Sequence, residues 1–333
     1  MTTKVAINGF GRIGRLILRA VHELGRDDIE IVAINDLAPI ESAAHLFAFD
    51  SVHGRFMNQV THTENAIDIG HGPIPFTSER DPAKLPWADV DIVFECTGIF
   101  KGDKALVHLQ NGASRVLVSA PSAGADKTIV YGVNHDTLTG KDLHVSNASC
   151  TTNCLAPVLK VLHEKVGINK GFMTTVHAYT SSQPVLDRDQ KDLHRARAAA
   201  LSMIPTSTGA TKAVGLVLPE LAGKLDGVAI RVPTPNVSCV DMTFEAARDT
   251  SVEEINDAIR AAAAAGPLKG VLEVTDKPLV SIDFNHQPAS STFATDQTHV
   301  VGGNMVRFLS WYDNEWGFVC RMLDTAREMA KHL

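Results

Sequence analysis

No apolar run in the sequence approaches the roughly 18 residues that a membrane-spanning helix needs, so the chain is expected to cross no membrane. Aromatic residues are sparse, at 6%, and basic residues do not dominate: 31 Lys and Arg stand against 38 Asp and Glu, a formal net charge of -7. A chain with that balance has no general field to recruit nucleic acid or an anionic membrane surface. The start, MTTKVAINGF, lacks the apolar core of a secretory signal. Cysteine is scarce, odd in number and scattered, at Cys96, Cys150, Cys154, Cys239 and Cys320. That pattern argues against a disulfide framework and for reduced thiols in a cytoplasm. Repeats and low-complexity tracts are absent, and no cysteine–histidine spacing has the form of a zinc site, so no metal is expected.

What is present is an ordinary globular composition, 44% hydrophobic and 21% charged, over 333 residues, enough for two domains. Residues 1–149 alternate short β-branched runs, such as KVAIN (4–8), IEIVAIN (29–35), DIVFECTG (91–98) and RVLVSAP (115–121), with helix-like segments such as RIGRLILRAVHEL (12–24). Near-continuous apolar strands separated by helices predict a doubly wound, Rossmann-type α/β domain. Residues 150–314 read differently. Long strands at 171–180 and 227–246, a hairpin around Gly302-Gly303 and a helix opened by Ser251 and Glu254 predict an α+β domain with an antiparallel sheet. A final helix is expected from 316.

Two stretches carry chemistry. Gly9, Gly11 and Gly14 form G-F-G-R-I-G between the first strand and the first helix, where glycines admit a tight turn and a pyrophosphate at the helix N-terminus. Asp36 ends the second strand, placed to accept the ribose hydroxyls of NAD. At the domain boundary, SNASCTTNC (146–154) sets Cys150 among hydroxyl and amide side chains. Ser149 is a good N-cap, so Cys150 is expected at a helix N-terminus, where the dipole lowers a thiol pKa and free N–H groups steady an oxyanion. Cys154, one turn deeper, is expected to be buried and inert. A thiolate nucleophile needs an acid–base partner, and His177, where TTVHAYT leaves a strand for a polar loop, is the best-placed candidate.

These residues, with ASCTTNCLAP (148–157), HAYT (177–180), RARAAA (195–200), IPTSTGA (204–210), RVPTPNVS (231–238) and SWYDNEWGF (310–318), stand in order along a chain that resembles the phosphorylating glyceraldehyde-3-phosphate dehydrogenases from end to end. The resemblance implies Cys150 as nucleophile and His177 as base, and NAD held by Arg12, Ile13, Asp36, Arg80, Ser119 and Asn314. It implies Ser149, Thr151, Thr180, Arg197, Thr208, Gly209 and Arg231 around the substrate phosphate and the attacking phosphate. It also implies a cytoplasmic homotetramer, a loop near 179–201 beside a neighbour's cofactor, and a C-terminal helix (315–333) that completes the first domain. Arg195 is read as a surface residue. Arg188-Asp189 departs from the Leu-Pro of many NAD-specific bacterial members, and Ser182 from the usual T-x-D-Q. Erythrose-4-phosphate dehydrogenase is the nearest alternative reading. A non-catalytic NAD-sensing or RNA-binding module is a more distant one.

Overall fold

The computed structural model describes residues 2–333, which form two compact units. One holds the chain through Ile129 together with His135–Ala148 and Val319–Leu333; the other holds Val130–Asn134 and Ser149–Phe318.

The first unit is built on a nine-stranded sheet. Its parallel part runs from Lys127–Thr128 through His144–Ser146, Arg115–Val118, Ile92–Glu95, Thr3–Asn8 and Ile29–Asn35 to Pro73–Thr77. Antiparallel strands Ala66–Asp68 and Thr61–His62 extend the far edge. The inner strands are buried side chain after side chain: Val5, Ala6, Ile7, Ile92, Val93, Phe94, Val116 and Leu117 are all sealed from solvent. Both faces are therefore covered, as parallel sheets require. Thr3–Asn8 lies between Ile29–Asn35 and Ile92–Glu95, so the order of strands reverses there, and the carboxyl ends on either side leave a crevice. Asn8 pairs across to Asn35 on one side and to Glu95 on the other.

The glycines of the first turn are fixed by contact. Gly9 has φ 95°, and a methyl group on it would lie 2.6 Å from the Thr97 nitrogen; one on Gly14 would lie 2.1 Å from the Gly9 oxygen. Helix Arg12–Glu23 therefore packs directly on its own entry turn. The C-terminal residues belong to this unit through Arg26, which donates to Asp324 at 3.0 Å and to the Leu323 carbonyl at 3.1 Å, and through Thr325, which donates to Asn147 at 2.8 Å.

The second unit carries a seven-stranded sheet in the order Ile204–Ser207, Leu225–Val232, Ile168–Ala178, Ser238–Ala246, Met305–Tyr312, Ser291–Val301, Leu272–Thr275. Four of its six pairings are antiparallel, as the expected antiparallel sheet requires, and two are parallel, so the sheet is mixed. The parallel neighbours Ile168–Ala178 and Leu225–Val232 are joined through helix Ala210–Val217, a crossover long enough to bring the chain back in the same direction. Helix Cys150–Val166 is buried over most of its length and runs unbroken through Pro157, despite the backbone donor lost there. Ser251 caps helix Val252–Ala264 through the Glu254 N–H at 3.2 Å, but the Glu254 carboxylate turns to Arg248 and Thr250. Only half of the expected capping box forms.

Candidate active site

Cys150 is the first residue of its helix, and Ser149 is the extended N-cap whose Oγ accepts the Thr152 N–H at 3.1 Å. His177 stands at the end of strand Ile168–Ala178, directly across the parallel ladder from Arg231. The strand ends and the helix start bring Cys150 Sγ to 3.4 Å from His177 Nε2. On its far side, His177 Nδ1 is 2.7 Å from the Ala178 carbonyl and 2.7 Å from Arg231 Nη1, which also donates to that carbonyl at 2.9 Å. Two tautomers are served. With hydrogen on Nδ1, the ring donates to Ala178 and turns a lone pair toward the thiol. With Nδ1 accepting from Arg231, Nε2–H faces sulfur.

The electrostatics correct one expectation. Burial pushes the Cys150 thiol above its ordinary pKa, and the opposing pulls of Arg231 and of the Thr151 N–H and hydroxyl do not reverse it. A helix N-terminus alone does not make this thiol acidic. His177 is pushed down to about 3, first by burial and then by the Arg231 charge. Both shifts favour the uncharged forms of the thiol and the imidazole. Cys154 and Cys239 are driven up to about 12 by burial, and Cys96 is driven up by burial and by the adjacent Glu95.

Two residues that the sequence did not single out hold this cluster. Tyr312 is buried with its hydroxyl 2.9 Å from both Thr151 Oγ1 and Thr175 Oγ1, and its ring stands edge-on to His177. Thr151 is thereby turned inward. Ser238 Oγ accepts the Ala178 N–H at 3.0 Å and donates to Asn314 Oδ1 at 2.8 Å, which fixes which end of the Asn314 amide faces Ser238 and leaves its NH2 for another acceptor.

The phosphate candidates divide. Arg231 is in the cluster. Thr180 contacts Ser182 Oγ at 2.9 Å, and Ser182 in turn accepts from Arg195 at 2.7 Å. Arg195, read as a surface residue, is half-buried, and its charge is felt by Arg231. Arg197 is the reverse: it is exposed and paired with Asp187 at 2.9 Å, outside the cluster. Thr208 and Gly209 precede helix Ala210–Val217, with Thr208 Oγ1 accepting the Ala210 N–H at 3.2 Å. In R-A-R only tertiary contacts decide which arginine turns inward, so no sequence signal separates them.

In the first unit a cavity of about 390 Å³ is lined by Asn8, Gly9, Gly11, Asn35, Asp36, Glu79, Arg80, Cys96 and Thr97, among others. A methyl group on Gly11 would meet no protein atom, so the space above that backbone is left for another molecule. Asp36 is pinned by the Phe10 and Ala38 N–H groups at 2.6 and 2.8 Å. No side chain caps the helix that starts at Arg12, which leaves its positive end to an anion. This glycine cradle, carboxylate and open helix end fit a dinucleotide. Arg80 lines the cavity, whereas Arg12 pairs with Asp50, Ile13 sits half-buried on the first helical turn, and Ser119 donates to the Glu95 carbonyl at 3.0 Å. A larger cavity of about 570 Å³, beside His22 and His71, contains none of the predicted site residues.

Comparison with known proteins agrees with these features. Residues 3–103 match the family described as glyceraldehyde 3-phosphate dehydrogenase, NAD binding domain, and residues 149–314 match its C-terminal domain. The chain is 70% identical over 334 residues to a glyceraldehyde-3-phosphate dehydrogenase of Cereibacter sphaeroides, with 100% of both chains covered. It is 68% identical to one from Xanthobacter flavus and 54% identical to one from Geobacillus stearothermophilus, each over 334 residues and 99% of both chains.

Proposed function

The chain belongs to the glyceraldehyde 3-phosphate dehydrogenase family, and from that premise we propose that it oxidises glyceraldehyde 3-phosphate with NAD and inorganic phosphate to 1,3-bisphosphoglycerate. The contact between Cys150 Sγ and His177 Nε2, 3.4 Å long and backed by Arg231, carries this reading. His177 Nε2 takes the thiol proton, and sulfur attacks the aldehyde carbon. The alkoxide is protonated, and the product is a hemithioacetal on Cys150. His177 then removes the hydroxyl proton as that carbon is oxidised and a thioester forms. Bound NAD supplies the hydride acceptor. A phosphate oxygen attacks the thioester carbon, the C–S bond breaks, and Cys150 leaves as a thiolate that is protonated again.

Asp36 holds the adenosine ribose, with Arg12, Ile13, Arg80 and Ser119 around the dinucleotide and Asn314 offering its NH2 to the nicotinamide amide. Arg231 and Thr180, joined by Arg195, hold the substrate's phosphate. Thr208, Gly209, Ser149, Thr151 and Arg197 receive the attacking phosphate. For Arg197 this means leaving Asp187, and an exposed ion pair of that kind is worth at most about 1 kcal/mol. The working unit is a cytoplasmic homotetramer. Five large apolar side chains left exposed on one loop, Val185, Leu186, Leu193, Leu201 and Met203, support the assembly. Light scattering that gave a monomer at micromolar concentration would remove it.

The test of the reaction is NADH formation from glyceraldehyde 3-phosphate and from erythrose 4-phosphate, each with and without inorganic phosphate. Phosphate-dependent turnover that favours the triose is expected. Turnover indifferent to phosphate overturns the proposal, and preference for the tetrose replaces its substrate.

A further inference from the structure

Beneath the cofactor cavity lies a carboxylate with no cation. Glu95 is 1% exposed, and among the described residues no lysine or arginine pairs with it. Its four acceptor positions are filled by neutral donors. Oε1 accepts the Thr97 N–H at 2.8 Å and the Thr97 hydroxyl; Oε2 accepts Asn8 Nδ2 at 2.7 Å and His108 Nε2 at 3.0 Å.

The donor directions are forced. Trp87 Nε1 can only donate, and it lies 3.0 Å from His108 Nδ1, so Nδ1 accepts and the imidazole hydrogen sits on Nε2, aimed at Glu95. Asn35 Nδ2 donates to Asn8 Oδ1 at 2.8 Å and to the Glu79 carbonyl at 3.0 Å, while Asn35 Oδ1 accepts from Thr77 at 3.0 Å and from the Glu79 N–H at 2.9 Å. Asn8 therefore has only its NH2 to offer Glu95. Donors converge on both oxygens, and these four hydrogen bonds offset the hydration that the carboxylate loses on burial.

Asn8, Asn35, Glu79 and Thr97 all line the cofactor cavity, and each is oriented by bonds that lead back to Glu95. We propose that Glu95 is a positioning residue for NAD: its carboxylate, held from behind by His108 and Trp87, sets the orientation of the cavity floor. This rests on reading the cavity as the NAD site. An amide at this position has to point its NH2 at donors. On one side it meets the Thr97 N–H. On the other, His108 can change tautomer only against Trp87, and Asn8 can flip only by losing Asn35. The mismatch is relieved by moving a wall of the cavity.

The test measures NAD affinity of the full-length protein by calorimetry, with kcat and aldehyde KM taken at saturating NAD. Glu95→Gln should raise the NAD Kd by roughly tenfold to a hundredfold, the effect of one or two unmatched buried donors, with kcat and aldehyde KM held within about twofold. Val116→Ala, a cavity in the neighbouring buried strand, should lower Tm and leave the Kd alone. His108 does not line the cavity, so His108→Leu should raise the Kd by about tenfold, whereas His108→Gln, which keeps a donor, should restore most of it. These two variants decide the matter if Glu95→Gln does not fold. An unchanged Kd in Glu95→Gln, or an equal rise in Val116→Ala or His108→Gln, overturns the proposal while the NAD site stands. A wild-type protein that does not bind NAD overturns both.

Discussion

The surroundings of Glu95 and of Cys150 both bury charge, and they treat it in opposite ways. Around Glu95 every acceptor has a donor, and the directions of Asn8 and His108 are settled by further bonds. Around Cys150 the polar groups are left incomplete. Arg231 and Arg195 each keep a buried Nε with no partner, the two cations oppose each other, and the side-chain amide of Gln183, next to Ser182, has no partner on either atom. An unmatched buried donor costs about 1–3 kcal/mol. The satisfied network behaves as finished scaffold, whereas the surroundings of Cys150 keep buried donors without partners.

The contrast is tested most severely at the base. His177→Asn should lower kcat/KM by about 10² to 10⁴, the usual range for a general base, and slow iodoacetamide alkylation of Cys150. Labelling of Cys96 or Cys154 ahead of Cys150 in the wild-type protein would contradict the separation of one working thiol from buried inert ones. Next come the cations. Arg231→Leu and Arg195→Leu should each raise the aldehyde KM by roughly tenfold or more, the loss of one charge-assisted donor to phosphate. If Arg195→Leu is silent while Arg197→Ala raises the aldehyde KM, the inward arginine has been misassigned.

Coenzyme choice gives an effect of similar or smaller size. Asp36→Ala should narrow the NAD-to-NADP ratio of kcat/KM by about tenfold, mainly by improving NADP, because a carboxylate near a 2'-phosphate repels it by up to roughly 4 kcal/mol per unit charge before screening. Arg188 is exposed, and Arg188→Ala should leave that ratio within about twofold. A separate effect is on stability. His177 binds its proton only near pH 3 in the folded state but near its ordinary value of 6.5 when unfolded. Between those values the unfolded chain takes up a proton that the folded chain refuses, so this part of the stability is present above pH 6.5 and is lost as pH falls toward 3. The slope of Tm against pH should be shallower there in His177→Gln than in wild type.

The first-unit topology was legible because its signals are local. A β-branched run, three glycines at fixed spacing and an acidic residue after the next strand describe a turn whose crowding at Gly9 and Gly14 the backbone then confirms. The cap at Ser149 was legible for the same reason. The parallel pairings of the second sheet were not, since a strand's composition does not fix the direction of its neighbour. Burial was illegible as well. Cys150 looks activated from its helix position, yet its net shift is upward because the chain around it excludes water. His177 was legible as the partner of Cys150 because TTVHAYT leaves a strand for a polar loop, and the family resemblance implied the same pairing, whereas Arg195, Tyr312 and Ser238 became visible only in three dimensions.

Arg231 touches the base on one side and belongs to the proposed phosphate site on the other. That shared position makes proton affinity and substrate charge a single thermodynamic account. When an anion neutralises the guanidinium, one of the two influences that weaken His177 is relieved, and the imidazole becomes more basic at the moment a substrate is seated. Reciprocity requires that a proton on His177 strengthen anion binding by the same factor. The device discriminates by charge at the chemical step as well as at binding. An aldehyde of the right length but without a phosphate meets a weaker base even at saturating concentration, so its deficit appears in kcat, and a free phosphate analogue added in trans restores part of it.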